Sequence, residues 1–182
     1  MKITKRLAML VIALTLTFLP ASVAPPQDAD GAVFRALLAR FCRSEDSRST
    51  IVTDRPFDST VVEKVTAYVR GVTIEDFPRP SLTRSDWPHL APCDEIRVVD
   101  GNALATAASL GIRPGTSGFY VRFPGAQGVL TLSRPVYSAN GKRALVYEVL
   151  QCGVLCGSGG LVELAWKDGE WSIAKYHPHW IS

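Results

Sequence analysis

The residues best suited to chemistry lie near the carboxyl end, where Cys152 and Cys156 precede a glycine-rich run. Two histidines, His177 and His179, follow in the same third of the chain. Thiolates and imidazoles are preferred ligands of zinc, so these four side chains are a candidate metal site. Pro178 forces an extended segment between the histidines, and nothing in the sequence ties that segment to the cysteines. We therefore predict a disulfide here, and no metal or other cofactor.

Two further chemistries can be weighed at the same loop. A dithiol exchanger has two residues between its cysteines and a helix that lowers the thiolate pKa, whereas three residues separate Cys152 from Cys156 in β-like surroundings. The run Gly157-Ser158-Gly159-Gly160 resembles the serine loop of chymotrypsin-like proteases, with His89 and Asp100 in the matching chain order. The chain is too short for the two barrels of that fold. We predict a tight turn with glycines at positive φ, and no catalytic residue.

The amino terminus has the pattern of a secretory signal peptide over residues 1–24. Three basic residues precede an apolar run from Leu7 to Leu19, and small residues follow at Ala21–Ala24. The apolar run is shorter than the roughly 20 residues that a membrane-spanning helix needs. We predict cleavage near Ala24 and a periplasmic or extracellular location, with no transmembrane segment in the mature chain.

The charge and length of the predicted mature protein limit its class and its number of domains. The predicted leader contains three of the 20 Lys and Arg residues and none of the 17 Asp and Glu residues, which leaves 17 of each sign. A nucleic-acid-binding protein would be expected to show a basic surplus or stripe, so we exclude that class. After a linker over residues 25–30, residues 31–182 are sufficient for a single domain with a hydrophobic core.

Four cysteines in an exported chain indicate two disulfides, which allows three pairings. We favour Cys42 with Cys93, which closes a long loop and stabilises the fold by roughly 4 kcal/mol in the chain-entropy model. Cys152 with Cys156 would then fix the shape of a short loop.

The amino-terminal half alternates helices and short strands. Apolar residues at helical spacing predict a helix over Ala32–Cys42, with Asp28 or Asp30 as its cap. Four prolines between Phe77 and Pro92 predict an extended surface crossing. Thr60–Arg70 has a capping-box pattern at Thr60–Glu63 and helical apolar spacing, whereas its β-branched residues favour a strand; of the two we favour the helix. The remaining predictions are a strand at Thr50–Asp54, a strand at Ile96–Val99, a helix at Asn102–Leu110 stopped by Gly111, and an apolar turn at Phe119–Gly125.

The carboxy-terminal half, about residues 127–182, predicts an antiparallel meander. Four candidate strands are present: Gly128–Tyr137, Arg143–Leu150, Leu161–Lys167 and Trp171–Tyr176. Asn140-Gly141 and Asp168-Gly169 suit tight hairpins because both central residues can adopt positive φ. The second strand is apolar on both faces and should be central. The predicted fold class is therefore α+β, with amino-terminal helices packed on a disulfide-stapled antiparallel sheet of four or more strands.

One surface of this sheet is a candidate binding surface. Glu148 is the one acid in an otherwise apolar strand, where it could have a raised pKa or pair with Arg134 or Lys175 on a neighbouring strand. Trp166, Trp171, Tyr147 and Trp180 are first of all expected in the core, although aromatics can also line a cleft for a glycan or peptide. The candidate residues are Tyr147, Glu148, Gly157, Ser158 and Trp180.

Several short blocks between Phe119 and Ser182 occur in a familiar order. They are Phe119-Tyr-x-x-Phe-Pro-Gly-Ala-Gln-Gly128, Leu132-Ser-Arg134, Ala144-Leu-Val-Tyr147, the Cys-Gly loop, Asp168-Gly-x-Trp171-x-Ile173 and Trp180-Ile-Ser182. This pattern resembles a group of exported bacterial proteins of unknown function. The resemblance implies a recurrent β-rich structural unit and brings no activity, cofactor or ligand.

These observations predict a non-enzymatic binding or interaction module of the cell envelope, whose partner is an envelope protein, a peptide or a glycan. One alternative is a small secreted hydrolase that uses acids such as Glu148 or Glu163. The other is a protease-inhibitor-like module that presents the loop from Cys152 to Gly160. A deep cleft with a carboxylate pair would favour the hydrolase, whereas a protruding rigid loop would favour the inhibitor or binder.

Overall fold

A computed structural model describes residues 29–43, 49–80 and 91–182 of the chain. The predicted signal peptide, the candidate cap Asp28, His89 and most of the predicted crossing after Pro80 lie outside the described residues.

Eight strands in the described part of the chain form one sheet around a long central strand. Their bounds are β1 Ser49–Thr53, β2 Arg79–Pro80, β3 Ile96–Val99, β4 Ala126–Leu132, β5 Val136–Tyr137, β6 Arg143–Gly153, β7 Cys156–Lys167 and β8 Glu170–Ile181. β4 and β5 pair with different halves of the same edge of β6, and β7 pairs with its other edge. The strand order at one end is therefore β3, β1, β4, β6, β7, β8, whereas β2 and β5 occupy the other end.

The sheet is mixed, so the prediction of a purely antiparallel sheet is wrong. The carboxy-terminal strands pair antiparallel as predicted, since β4 and β5 pair with β6, β6 with β7 and β7 with β8. β1, however, is parallel to both β3 and β4. Parallel neighbours need a crossover connection of a dozen or more residues. The segments after β1 and after β3 are long enough for such crossovers, and both include helices.

Within the described ranges, four α-helices and two short 3₁₀ helices accompany the sheet. The α-helices are α1 Ala29–Leu38, α2 Thr60–Thr66, α3 Gly101–Ser109 and α4 Ser117–Arg122. 3₁₀ turns follow at Ala39–Arg43 and Ile74–Asp76. α1 begins at Ala29, inside the predicted linker, and Asp30 is buried in its first turn, where it accepts a 2.6 Å hydrogen bond from the Tyr137 hydroxyl.

Three other local predictions are corrected. The predicted turn at Phe119–Gly125 is largely helix α4, because the Thr116 side chain caps it by accepting from the Phe119 amide. The predicted strand Gly128–Tyr137 is split into β4 and β5 by the segment Ser133–Pro135, since proline cannot donate to a sheet. α2 ends at Thr66, before the predicted end at Arg70. Its first amide, that of Thr60, donates to the Asp58 side chain, which lies outside the predicted capping box.

Helices cover both faces of the sheet because β6 is apolar on both. Ala144 and Val146 face α1, where they belong to a core that also contains Phe34 and Leu37. Leu145 and Tyr147 face the opposite side and pack with α2.

A third core cluster lies beside α3 and α4. Ile51, Phe119, Phe123 and Ala126 form its buried part. Leu104 and Ile112 pack against it but remain partly accessible, which leaves an opening at this end of the fold.

The two predicted turns differ. Asp168 (φ 54°) and Gly169 (φ 88°) both have positive φ, as predicted for a two-residue hairpin. At the other turn only Gly141 does, so the prediction for Asn140-Gly141 is wrong. There the Ser138 amide donates to the Arg143 carbonyl, and the Arg143 amide donates to the Ser138 hydroxyl. The Asn140 side chain accepts from the Ser138 hydroxyl and the Lys142 amide, which produces a longer loop.

Both predicted disulfides are present. Cys42 and Cys93 have Cα atoms 5.8 Å apart and join the turn after α1 to the segment before β3. Cys152 and Cys156, 5.0 Å apart, close the tip of the β6–β7 hairpin.

Candidate functional site

The predicted binding residues divide between the two faces of the sheet. Tyr147, Gly157 and Trp180 lie on the face that packs with α2, since a Cβ at Gly157 would touch the Trp180 indole. Side chains alternate along a strand, so Glu148 and Ser158 point to the opposite face. The five residues therefore do not form one surface.

Tyr147 and Trp180, the two aromatic residues of the predicted set, form a hydrogen-bonded cluster with His179. The Trp180 indole donates a 3.0 Å hydrogen bond to the Tyr147 hydroxyl, and His179 Nδ1 lies 3.3 Å from the same oxygen. Tyr68 stacks on His179 with ring centroids 6.0 Å apart. These contacts join the last strand to the centre of the sheet and to the turn that follows α2.

The glycine-rich run is strand, so the predicted turn with positive φ is wrong. Gly157, Gly159 and Gly160 belong to β7, and their φ angles are not positive. A Cβ at Gly159 would lie 2.8 Å from Trp180 Cε2 and 2.9 Å from the Tyr147 hydroxyl. Glycine is thus present because aromatic groups approach the backbone closely.

Glu148 pairs with Arg40, not with Arg134 or Lys175. The 3₁₀ turn after α1 brings the Arg40 guanidinium to the buried carboxylate on the α1 face. Loss of solvation lowers the pKa of Arg40, and nearby Tyr176 acts in the opposite direction. The pair connects α1 to the sheet.

A partly buried acid, Glu163, lies on the other face. Glu163 Oε1 accepts from Arg143 Nε at 2.8 Å, and Glu163 Oε2 lies 3.5 Å from Nε2 of the buried His177. The Arg143 guanidinium also covers the Phe77 ring at 4.8 Å. Glu163 is therefore engaged on both oxygens.

A concave feature of the described residues is a cleft beside the disulfide-closed hairpin. Its volume is about 520 Å³. One wall is formed by α3, α4 and their connecting loop, and the other by β4 and the tip of the β6–β7 hairpin. The cleft residues are Leu104, Ala108, Ile112, Arg113, Pro114, Thr116, Phe119, Val129, Gln151, Gly153 and Val154.

Local sequence signals position the walls of this cleft. The Asp100 side chain caps α3 by accepting from the Asn102 amide at 2.7 Å, and Thr116 caps α4. Gly115, with φ of 90°, brings the loop against the hairpin, where a Cβ would lie 2.8 Å from Gly153 Cα. Tyr120 adds a 3.5 Å contact from its hydroxyl to the Cys152 carbonyl.

The cleft is apolar with one cationic side chain. The Arg113 Nε donates to the Ala108 carbonyl at 3.2 Å, and its terminal nitrogens have no partner among the described residues. No acid belongs to the lining described above. The chain contains no Asp or Glu between Asp100 and Glu148, although five Lys and Arg residues occur in that interval.

The sequence interpretation missed this cleft. Leu104, Ile112 and Val129 are ordinary apolar residues that the fold brings together from separate elements. The available signal was the acid-free interval from Gly101 to Tyr147, which contains Arg113.

The residues considered for catalysis have other partners. Cys152 and Cys156 are bonded to each other, so neither supplies a thiolate to zinc. Asp100 caps α3, and Ser158 lies in the paired part of β7.

Comparison of the chain with protein-family models, with curated proteins and with solved structures finds no match. The resemblance to exported bacterial proteins stays a prediction. Within the described ranges, no helix has the length and apolar character needed to cross a membrane. Function is therefore inferred from the geometry.

Proposed function

We propose that the protein is an exported, non-enzymatic binding module of the cell envelope, and that the cleft between α3–α4 and the β6–β7 hairpin holds an apolar group of its partner. The observation that carries this proposal is an apolar cavity of about 520 Å³ with one unpaired cation, Arg113. Ligand sites are typically cavities of roughly 300 to 1,000 Å³ with apolar walls and a few polar groups.

The chemistry of the walls supports binding rather than turnover. Ile112, Phe119 and Val129 offer apolar contact area, and Gln151 and Arg113 offer donors that can orient a ligand. The lining contains no carboxylate, thiol or imidazole that could act as base or nucleophile. The disulfide between Cys152 and Cys156 stabilises the hairpin wall and suits an oxidising compartment.

The hydrolase alternative has less support. Glu148 and Glu163 point to opposite faces of the sheet, since Glu163 pairs with Leu145, three residues from Glu148. Each carboxylate contacts an arginine. They do not form the pair that acid–base hydrolysis would require.

A protease-inhibitor-like module is the second candidate. Val154 and Leu155, each 86% exposed, lie at the tip of a hairpin closed by a disulfide, and such a tip protrudes in the manner of an inhibitory loop. Inhibition of a protease with apolar specificity, lost on mutation of Leu155 to Ser, would support this candidate over the cleft.

The binding proposal is tested with the fluorescent apolar anion anilinonaphthalene sulfonate. We expect one probe per folded protein, bound in the cleft. Ala108→Trp, which fills the cleft from α3, should weaken binding at least tenfold. Ala105→Trp is the matched control, because Ala105 is an exposed residue of the same helix outside the lining.

Circular dichroism in the near ultraviolet should be retained in both variants, because this probe also binds molten states. Equal probe binding by the wild type and Ala108→Trp would contradict the proposal.

A further inference from the structure

Exposed apolar residues lie on the two elements that border the cleft. Val154 and Leu155 at the hairpin tip are each 86% exposed, and on α4 Val121 is 81% and Tyr120 is 42% exposed. Tyr120 contacts the Cys152 carbonyl, so α4 and the hairpin tip are neighbours. Exposed apolar groups clustered in this way mark an interaction surface.

Two exposed arginines belong to the same region. Arg113 lines the cleft together with Val154, and Arg122 ends α4, where its guanidinium lies 5.8 Å from the Phe123 ring centroid. Neither forms an ion pair with an acid of the described residues. Fixed positive charge beside apolar side chains is complementary to an anionic, amphiphilic partner.

We propose that this tip surface, consisting of Arg113, Tyr120, Val121, Arg122, Val154 and Leu155, docks on an anionic phospholipid bilayer. Apolar side chains bury in the boundary between headgroups and acyl chains, while basic side chains attract anionic headgroups. Tyrosine is favoured at this depth because it has an apolar ring and a polar end. The docking rests on the proposed function, since it names the partner that the cleft faces.

The hairpin is suited to insertion. At its tip the disulfide fixes the turn between β6 and β7, so Val154 and Leu155 are presented without extensive ordering of a flexible loop. Pre-ordering of a loop reduces the entropic cost of binding. Gly115 against Gly153 holds the hairpin against the loop that contains Arg113, which keeps the two parts of the surface together.

Vesicle sedimentation tests the proposal. The full protein should bind vesicles of equal parts phosphatidylglycerol and phosphatidylcholine in about 0.1 M salt, and binding should weaken at about 0.5 M salt, where screening is stronger. Vesicles of phosphatidylcholine alone should bind at least tenfold less protein.

Two double variants separate the apolar and the electrostatic contributions. Val154→Ser with Leu155→Ser should reduce vesicle binding at least tenfold. Arg113→Gln with Arg122→Gln should reduce it by about 25-fold, since one basic residue near an anionic surface is worth roughly 1 kcal/mol, or about fivefold.

Matched controls lie at the opposite end of the hairpin. Ile173→Ser removes an exposed apolar residue of β8 that pairs with Leu164, and Lys167→Gln with Lys175→Gln removes two exposed cations. Both controls should bind vesicles like the wild type. Equal reduction by the controls and the tip variants would overturn the proposal.

The failure of this inference differs from the failure of the proposed function. If anionic vesicles do not bind but the soluble probe still occupies the cleft with sensitivity to Ala108→Trp, membrane docking is wrong and a protein or peptide partner remains. If vesicles bind through Val154 and Leu155 but Ala108→Trp leaves probe binding unchanged, membrane docking is supported and the cleft is not the probe-binding site.

Discussion

Gly115 and Gly153 are in backbone contact where the α3–α4 loop meets the disulfide-closed hairpin. A Cβ at Gly115 would lie 2.8 Å from Gly153 Cα and 3.3 Å from the Val154 amide nitrogen. This contact joins the two walls of the cleft. The shape of the cleft therefore depends on a residue that has no side chain.

Gly115→Ala should separate these walls. The positive φ of Gly115 adds strain of about 1 to 3 kcal/mol for any other residue, and the methyl group must also displace the hairpin. Gly111→Ala is the matched control, because Gly111 has φ of 79° and open space around its Cβ. Titration with the apolar probe should show weaker binding only for Gly115→Ala. Equal affinity in the two variants would show that the contact does not shape the cleft.

Gly159→Ala should displace Trp180. The new methyl group would overlap the indole and the Tyr147 hydroxyl, and overpacking of this kind costs about 1 to 3 kcal/mol. Denaturant unfolding measures the loss, and tryptophan fluorescence should shift to the red as Trp180 becomes more exposed. In Gly118→Ala the Cβ has ordinary contact at 3.5 Å from Ile112, so stability should be unchanged or higher. If Gly159→Ala unfolds at the same denaturant concentration as the wild type, the aromatic groups do not require glycine at this position of β7.

Trp171→Ala should destabilise the fold by about 3 to 5 kcal/mol, the range for deletion of a large buried aromatic. Trp171 is buried against Trp166 and Tyr137, and its indole nitrogen has no hydrogen-bond partner among the described atoms. Trp171→Phe keeps an aromatic ring and loses no hydrogen bond, so it should cost less than the alanine substitution. An unchanged melting midpoint for Trp171→Ala would contradict its place in the core.

Asp58 should contribute stability that depends on pH. Its carboxylate accepts from the Thr60 amide, and this hydrogen bond lowers the pKa of Asp58 below its ordinary value. The contribution is complete above the ordinary aspartate pKa of about 3.9 and is lost as pH falls through the lower value of the folded state. Thermal melts of the wild type and Asp58→Asn should differ at neutral pH and converge once the pH falls below the lowered pKa of the folded state. A constant difference across that range would exclude the carboxylate as its source.

Local signals in the sequence predicted much of the secondary structure. The apolar spacing after Ala32 identified α1, and Asp168-Gly169 identified the β7–β8 turn because two positive φ angles suit that dipeptide. The disulfide pairing was predictable from the presence of four cysteines and their separations, since Cys152 and Cys156 are close in the chain and leave Cys42 for Cys93.

The parts that were not predicted depend on contacts between distant residues. Arg40 reaches Glu148 across 108 positions, and no local pattern specifies that partner. The parallel pairing of β1 with β3 and β4 likewise depends on how the intervening helices pack. The glycines of β7 were wrongly predicted to form a turn, because the Trp180 ring, which leaves no room for a side chain there, lies on another strand.

The most direct measurement is an amide NMR titration of the isotopically labelled protein with anilinonaphthalene sulfonate. If the cleft is the binding site, the shifted amides should concentrate in residues 108–119 and 151–154, and Ala108→Trp should suppress these shifts while Ala105→Trp preserves them. Shifts centred on Tyr68, His179 and Trp180, or shifts that Ala108→Trp leaves unchanged, would contradict the assignment of binding to this cleft.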